Sequence, residues 1–278
     1  MKELRGKVAA VTGAASGLGR AMALAFADEG MHVALADVEE AKLQPVAAAM
    51  RDKGVRSLSM RVDVSKAVEV EAFAERTVSE LGAVHVVCNN AGVAVSGAVW
   101  ENSEAEWQWI LGVNLWGVVH GVRAFAPRLI AQNEGHIVNT ASVAGLISPP
   151  GMGAYCVSKH AVVTLSESLH HDLRERGAAV GVSVLCPAYV PTGIADSERN
   201  RPFAGTGKSQ ERIAKEAMLR KAVAAGKLSA DDVARAVLAA VKENRFYILT
   251  HPAIKGAIRA RMEDVLEERA PRNPLGLR

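Results

Sequence analysis

Tyr155 and Lys159 stand four positions apart, Ser142 lies thirteen positions before the tyrosine, and an early stretch reads Thr12-Gly-Ala-Ala-Ser-Gly-Leu-Gly19. In a helix, positions i and i+4 share one face, so the Lys159 ammonium can approach the Tyr155 phenol. A free tyrosine titrates near 10, too high to act as a base at neutral pH. Two unit charges about 4 Å apart attract by roughly 4 kcal/mol at an effective dielectric near 20, which would lower the phenol by about three pKa units before desolvation takes some back. The expectation is therefore a phenol made more acidic. Removing a hydride from a carbinol carbon requires a base on the hydroxyl proton and a donor for the developing alkoxide. Any helix can carry a tyrosine and a lysine at this spacing, so the serine and the glycines have to add weight.

Gly13, Gly17 and Gly19 separate a short apolar run from a helical pattern containing Leu18, Met22, Ala25 and Phe26. A strand-to-helix turn through Gly13, Ser16, Gly17, Leu18 and Gly19 would bring backbone N–H groups and the positive end of a helix against a pyrophosphate, where a Cβ would block the approach. The spacing is G-x-x-x-G-x-G rather than the general G-x-G-x-x-G. Asp37 follows Gly19 by eighteen residues and ends a second β-branched run, where a carboxylate can accept hydrogen bonds from an adenosine ribose and repel a 2′-phosphate. Neither Ala36 nor Val38 supplies a cation there, and Arg20 is the nearest basic residue in sequence. NAD is expected over NADP.

These groups need a scaffold. A chain of 278 residues, 49% hydrophobic and 23% charged, can bury a full core in one domain. No apolar run approaches the length of a membrane span and Val8–Thr12 is too short for a signal peptide, so a cytoplasmic protein with no membrane partner is expected. Cys88, Cys156 and Cys186 are too few and too scattered for a metal site and read as reduced thiols near the core. The net charge is +3, with basic and acidic residues interleaved, which gives no sign of a nucleic-acid partner. His170 and His171 point in different directions on a helix and should lie on its surface.

Short apolar runs alternate with longer helical patterns, the signature of βαβ units and a parallel sheet covered on both faces. Strands are predicted at 8–12, 32–37, 57–62, 84–88, 136–139, 180–185 and 246–249. Ser103 with Glu106 and Ser229 with Asp232 have capping-box spacing. Two stretches break the alternation. From about 189 to 228, Asn200, Arg201, Pro202, Gly205 and Gly207 interrupt any regular pattern, and a substrate lid is expected after a strand's C-terminal end. From about 251 to 278, Ile254, Ile258, Val265 and Leu266 form a partial helical stripe before Pro271 and Pro274, which could cover a subunit edge.

Taken together, residues 4 to 250 resemble the short-chain dehydrogenase/reductase family, in its ordinary-length branch. The family's glycine turn is similar to Thr12–Gly19, its adenine aspartate to Asp63, and its N-N-A-G strand end to Asn89-Asn90-Ala91-Gly92. Its helix asparagine corresponds to Asn114, its serine to Ser142, and its Y-x-x-x-K to Tyr155-Cys-Val-Ser-Lys159. The resemblance implies an α/β, Rossmann-like, doubly wound seven-stranded parallel sheet of strand order 3-2-1-4-5-6-7 with helices on both faces. It further implies that Tyr155 is the general acid/base, that Ser142 bonds the substrate oxygen, and that Lys159 holds the nicotinamide ribose and lowers the Tyr155 pKa. Asn114 would position a water linking Lys159 to solvent. By the same resemblance Asp63, Val64, Asn90, Ala91, Gly92, Pro187, Val190 and Thr192 contact the cofactor. Pro187-Ala-Tyr-Val-Pro-Thr192 departs from the family pattern by an alanine at 188 and a second proline at 191, which bears on Tyr189 and the lid hinge. Phe246–Pro252 is similar to a subset acting on bulky aromatic or alicyclic alcohols.

Val93, Ala94, Val143, Pro149, Met152, Tyr189, Ile194 and Phe203 are the expected substrate wall, with Ser142 beside them. Their apolar character suits a neutral alcohol or ketone, although apolar walls discriminate by only about 1–3 kcal/mol per methylene. A stripe of Val157, Ala161, Leu165 and Leu169 on the helix bearing Tyr155 suggests a homodimer or homotetramer, the alternative being that it faces the sheet. The rival readings are an NADP-dependent carbonyl reductase and a dinucleotide-binding sensor without turnover.

Overall fold

The computed structural model describes residues 1–203 and 207–276. Seven parallel strands form one sheet: β1 (Val8–Thr12), β2 (His32–Asp37), β3 (Ser57–Arg61), β4 (Val86–Asn89), β5 (Gly135–Thr140), β6 (Val180–Leu185) and β7 (Tyr247–Ile248). Their order is β3-β2-β1-β4-β5-β6-β7, as expected. The chain starts at the middle of the sheet, winds outward to β3, then returns and continues on the other side. The reversal leaves a crevice above the C-terminal ends of β1 and β4.

The strands are nearly continuous apolar runs because both faces are covered. Along β1, Ala9 and Val11 pack with one apolar cluster while Val8 and Ala10 pack with the other, the alternation a strand must show. The first face carries α1 (Gly17–Asp28), α2 (Glu40–Asp52) and α8 (Ala230–Glu243), through Met22, Phe26, Leu43 and Val237. The second carries α3 (Ala67–Leu81), α5 (Gly117–Gln132) and α6 (Gly153–Glu175), where Phe73 meets Phe125 edge-on at 6.0 Å. Both capping boxes form: Ser103 opens α4 (Glu104–Leu111) with Glu106, and Ser229 opens α8 with Asp232, each cap contributing about 1 kcal/mol. Between α4 and α5 the backbone widens into a π-helical turn, Gly112–Trp116, which holds Asn114.

The segment expected to form a lid is more regular than its sequence suggests. After β6 a short 3₁₀ segment covers Gly193–Asn200, and α7 (Gln210–Ala224) begins at Ser209, whose hydroxyl accepts the Arg212 N–H at 3.1 Å. Gly205, read as a breaker, lies outside the described residues. The α7 pattern is faint because Ile213 and Met218 are exposed. The helix is held by charge instead: Arg212 of α7 and Arg201, nine residues before it begins, both pair with Glu106, and all three side chains are enclosed. Arg201 also lies over the Trp109 and Phe203 rings at 5.8 and 5.3 Å.

The last helix, α9 (Ile254–Leu266), leaves Val265 and Leu266 exposed. Its buried Asp264 binds Arg269 and Arg272, which turns the following residues back along the helix. On α6 the buried positions are Ala154, Cys156, Ser158, Lys159, Val162, Val163, Ser166 and Leu173, whereas Val157 is half exposed. Only the Val157 end of the Val157–Leu169 stripe points outward, because Leu165 and Leu169 pack against the apolar clusters of the sheet. The three cysteines are buried and unpaired. His171 is exposed, and His170 is half-buried with its ring 5.2 Å from that of Phe246. No helix among the described residues is long and apolar enough to cross a membrane.

Candidate active site

A cleft of about 650 Å³ runs over the C-terminal ends of the strands, within the size range of small-molecule sites. At one end Gly13 and Gly17 adopt φ of +66° and +50° in the β1–α1 turn, a conformation that disfavours any side chain. A Cβ on Gly13 would lie 2.9 Å from the Ala91 Cα. Ser16, Gly17 and Leu18 open α1 at the cleft wall, so the free N–H groups of its first turn are there to receive an anion. Gly19 is not in the wall. Its missing Cβ would come within 2.0 Å of the Gly13 carbonyl oxygen, so it serves the packing of helix on turn.

Asp37 lines the cleft beside this turn, accepting N–H bonds from Ala15 at 3.0 Å and Glu39 at 2.9 Å, one on each oxygen. Each oxygen keeps lone-pair capacity for a ribose. Sequence proximity misidentified the nearby cations: Arg20 is exposed on α1, whereas Arg61, Lys66 and Arg199 line this end. All three are paired, Arg61 with Glu69, Lys66 with Asp63 and Glu69, and Arg199 with Glu39. Asp63 and Val64 complete the rim, with Asp63 bound to the Ser65 N–H at 3.0 Å.

A chain of hydrogen bonds links the glycine turn to the catalytic candidates. Thr12 Oγ1 accepts the N–H groups of Asn90 and Ala91 at 2.9 and 3.1 Å, and Asn90 Nδ2 donates to the Thr12 carbonyl at 3.0 Å. Thr140 Oγ1 donates to Asn90 Oδ1 at 3.2 Å, and the Lys159 ammonium donates to the Thr140 carbonyl at 2.9 Å. The ends of β1, β4 and β5 are thus fixed relative to α6. Asn90, Ala91 and Gly92 form the cleft floor.

Tyr155, Lys159 and Ser142 all face the cleft. The Lys159 Nζ lies 5.8 Å from the centre of the Tyr155 ring. The expected acidification of the phenol is not found: burial pushes Tyr155 up to about 12, with the Ser142 hydroxyl acting the other way. Burial also brings Lys159 down to about 8. The difference is physical. The ammonium is directed at the Thr140 carbonyl, so its attraction for a phenolate does not overcome the cost of placing that charge in a dry site. Ser142 is held by the Ala144 N–H at 3.2 Å and donates to the Pro187 carbonyl at 3.4 Å.

Asn114 is fully buried and is not in the cleft wall. Its amide exchanges two bonds with the Val93 backbone, at 2.8 and 2.9 Å, and donates to Ser158 Oγ at 3.0 Å. It therefore braces the exit from β4 against α6, one helical position from Lys159.

The far end is apolar. Val93, Ala94, Val143, Pro149, Met152, Tyr189 and Ile194 all line the cleft, with Pro187, Val190 and Thr192 from the segment after β6. Phe203 does not; it packs edge-on behind Trp109, with centroids 6.3 Å apart. Trp109, Val113, Leu219, Val223, Ile254 and Leu275 also line the cleft and were not foreseen. A helical periodicity says that Trp109 is buried but not against what, and Leu275 arrives only through the Arg272–Asp264 fold-back. The tail thus reaches its own chain's cleft. The unusual 187–192 turn is supported from β7's side, where the Ala188 N–H donates to His251 Nδ1 at 3.2 Å. The space above the glycines and the remaining lone pairs of the Asp37 carboxylate fit a dinucleotide.

Comparison with known proteins agrees with this geometry. Residues 7–202 match the short chain dehydrogenase family. A crystal structure of a short chain dehydrogenase/reductase from Burkholderia phymatum in complex with NAD is 51% identical, covers 100% of both chains and superposes with a TM-score of 0.97. The CLA biosynthesis dehydrogenase/reductase of Lactiplantibacillus plantarum is 34% identical over 98% of this chain and 97% of its own. The 1-deoxy-11-beta-hydroxypentalenate dehydrogenase of Streptomyces exfoliatus is 34% identical over 94% and 89%. With its sheet order, glycine turn and Ser142–Tyr155–Lys159 set, the chain belongs to the short-chain dehydrogenase/reductase family of oxidoreductases.

Proposed function

We propose that this protein interconverts a neutral, apolar secondary alcohol and its ketone with NAD(H), the substrate being aryl or alicyclic. The carrying observation is that Ser142, Tyr155 and Lys159 meet the glycine turn on one cleft whose substrate end is lined by apolar side chains. The bound nicotinamide would supply the hydride chemistry. Gly13, Ser16, Gly17 and Leu18 would hold its pyrophosphate, Asp37 and Asp63 its adenosine half, and Asn90, Ala91, Gly92, Pro187, Val190 and Thr192 the rest.

The chain's own residues handle the proton. Ser142 would donate to the substrate oxygen and concentrate positive potential where alkoxide charge develops. At neutral pH the Tyr155 phenol keeps its proton, which is the state that protonates an alkoxide in the ketone-reducing direction. In the alcohol-oxidising direction that proton must leave, and Lys159, already brought down to about 8 by burial, is the adjacent group able to exchange it. Asn114 would keep Lys159 and the β4 exit in register, and its place beside them suits the water relay that the family resemblance implies.

Cofactor preference follows from charge: Asp37 and Glu39 face the adenosine end, and the cations there are already paired. Half-exposed Trp116 and Val157, just ahead of α5 and on α6, suit helix packing in a homodimer or homotetramer, which light scattering would measure. The test of the reaction is a panel of aryl, alicyclic and steroid alcohols offered with NAD and read by cofactor fluorescence. Turnover of at least one is expected, with Tyr155→Phe reducing it by about a hundredfold or more while NADH still binds. Retained turnover in Tyr155→Phe sinks the proposed role. Tight NADH binding with no turnover across the panel would favour a sensor.

A further inference from the structure

The lid and the end of β2 meet across the mouth of the cleft. Arg199, in the 3₁₀ segment after β6, reaches Glu39, two residues past Asp37 and 160 positions away in sequence: Nη2 lies 2.9 Å from Oε2, and Nε lies 3.3 Å from both carboxylate oxygens. The guanidinium is aimed before it arrives, because Nη1 donates to the Gly193 and Asp196 carbonyls at 3.1 and 3.0 Å. Glu39 is fixed as well, by its N–H on Asp37 and by Lys42 Nζ at 2.7 Å. The Glu39 side chain is 18% exposed and that of Arg199 35%, and both line the cleft with Asp37. The Arg199 contact pulls Glu39 down to about 2, so the pair stays charged across the physiological range.

We propose that the Arg199–Glu39 pair is a strap across the adenosine end of the cleft that holds the lid over a bound dinucleotide and sets the rate at which it leaves. The proposal rests on the cofactor reading above. A ligand running from Asp37 to Thr192 has to pass between the two segments that the pair joins, so it departs when the pair opens. The lid's far side is secured separately, through Arg201 and Arg212 on buried Glu106, which leaves the Glu39 contact as the join on the β2 side. The same contact makes Glu39 a specificity residue: it occupies the guanidinium that a 2′-phosphate would otherwise attract. Both are positioning residues.

Stopped-flow displacement of NADH, followed by its fluorescence, tests the strap in the full-length protein. Glu39→Gln and Arg199→Gln should each release NADH about five-fold faster, the change that about 1 kcal/mol gives for a partly exposed ion pair. The charge-swapped double variant, Glu39→Arg with Arg199→Glu, should recover slow release. Raising salt to about 0.5 M should speed release from the wild type and not from the single variants. NADPH affinity relative to NADH should rise in Glu39→Gln and not in Arg199→Gln, a readout that a merely structural role would leave unmoved. Arg76→Gln, which breaks the exposed Arg76–Glu80 pair on α3, should release NADH at the wild-type rate. Unchanged release in both single variants overturns the strap, as does equal acceleration in Arg76→Gln. A wild-type protein that binds no NADH overturns the cofactor reading itself, and the strap with it.

Discussion

Acid should destabilise this protein through its histidines, His136 most of all, before it reaches the carboxylates: burial also lowers His32, His85, His170 and His251. His136 lies in β5 with 1% of its surface exposed, and its Nε2 is 2.7 Å from Ser183 Oγ on β6. Ser183 donates its own proton to the Arg245 carbonyl at 2.6 Å, so its oxygen must accept from the ring, which fixes the Nε2–H tautomer of a neutral imidazole. Nδ1 faces Gly181, where even a Cβ would approach to 2.3 Å. Burial, with a small contribution from the N-terminal amine, lowers His136 from 6.5 to about 3. The unfolded chain therefore takes up this proton first. Its contribution to stability is complete above pH 6.5 and is lost as pH falls toward 3, at roughly 1.4 kcal/mol per pH unit. Between pH 7 and 5 the loss is about 2 kcal/mol. Glu39 and Glu106 are both held below the usual carboxylate range by their arginine partners, so their ion pairs persist across that window. Urea unfolding at pH 7, 6 and 5 should show the wild type losing about 2 kcal/mol, while His136→Gln, less stable at pH 7, changes far less. Parallel loss in the two proteins would refute the assignment.

Three further substitutions, Gly256→Ala serving as the control, separate geometry from chemistry in the glycine turn and at Asp37. Gly19→Ala places a methyl against the Gly13 carbonyl and should destabilise the fold by about 1–3 kcal/mol and weaken NADH binding, whereas Gly256→Ala, with open space on α9, should stabilise it by about 1 kcal/mol; thermal melts and NADH titration check both, and a neutral Gly19→Ala would refute the close-packing account. Asp37→Ala should raise kcat/KM for NADP relative to NAD by about tenfold, equivalent to 1.4 kcal/mol of relieved repulsion, and a wild-type preference for NADP would contradict the charge argument.

The sequence by itself determined the sheet. Six of its strands were legible to within two residues, and β7 to within one at each end, because a strand covered on both faces has to be an unbroken apolar, β-branched run and its right-handed crossovers leave few orders open. It also pointed to residues that share the cleft, since Tyr155 and Lys159 on one helix and Gly13 and Gly17 in one turn are linked by local geometry. Helix α7 was hidden because its stability comes from Arg212 on Glu106, 106 positions away, rather than from an apolar stripe. The tertiary structure alone decided the rest: Leu275 and Ile254 at the cleft, Arg199 rather than Arg20 in the cleft wall with Asp37, Phe203 behind Trp109, and the direction of the Tyr155 shift. Each depends on burial or on a long-range charge pair, and spacing along a chain carries no measure of how dry a side chain becomes or of which distant partner meets it.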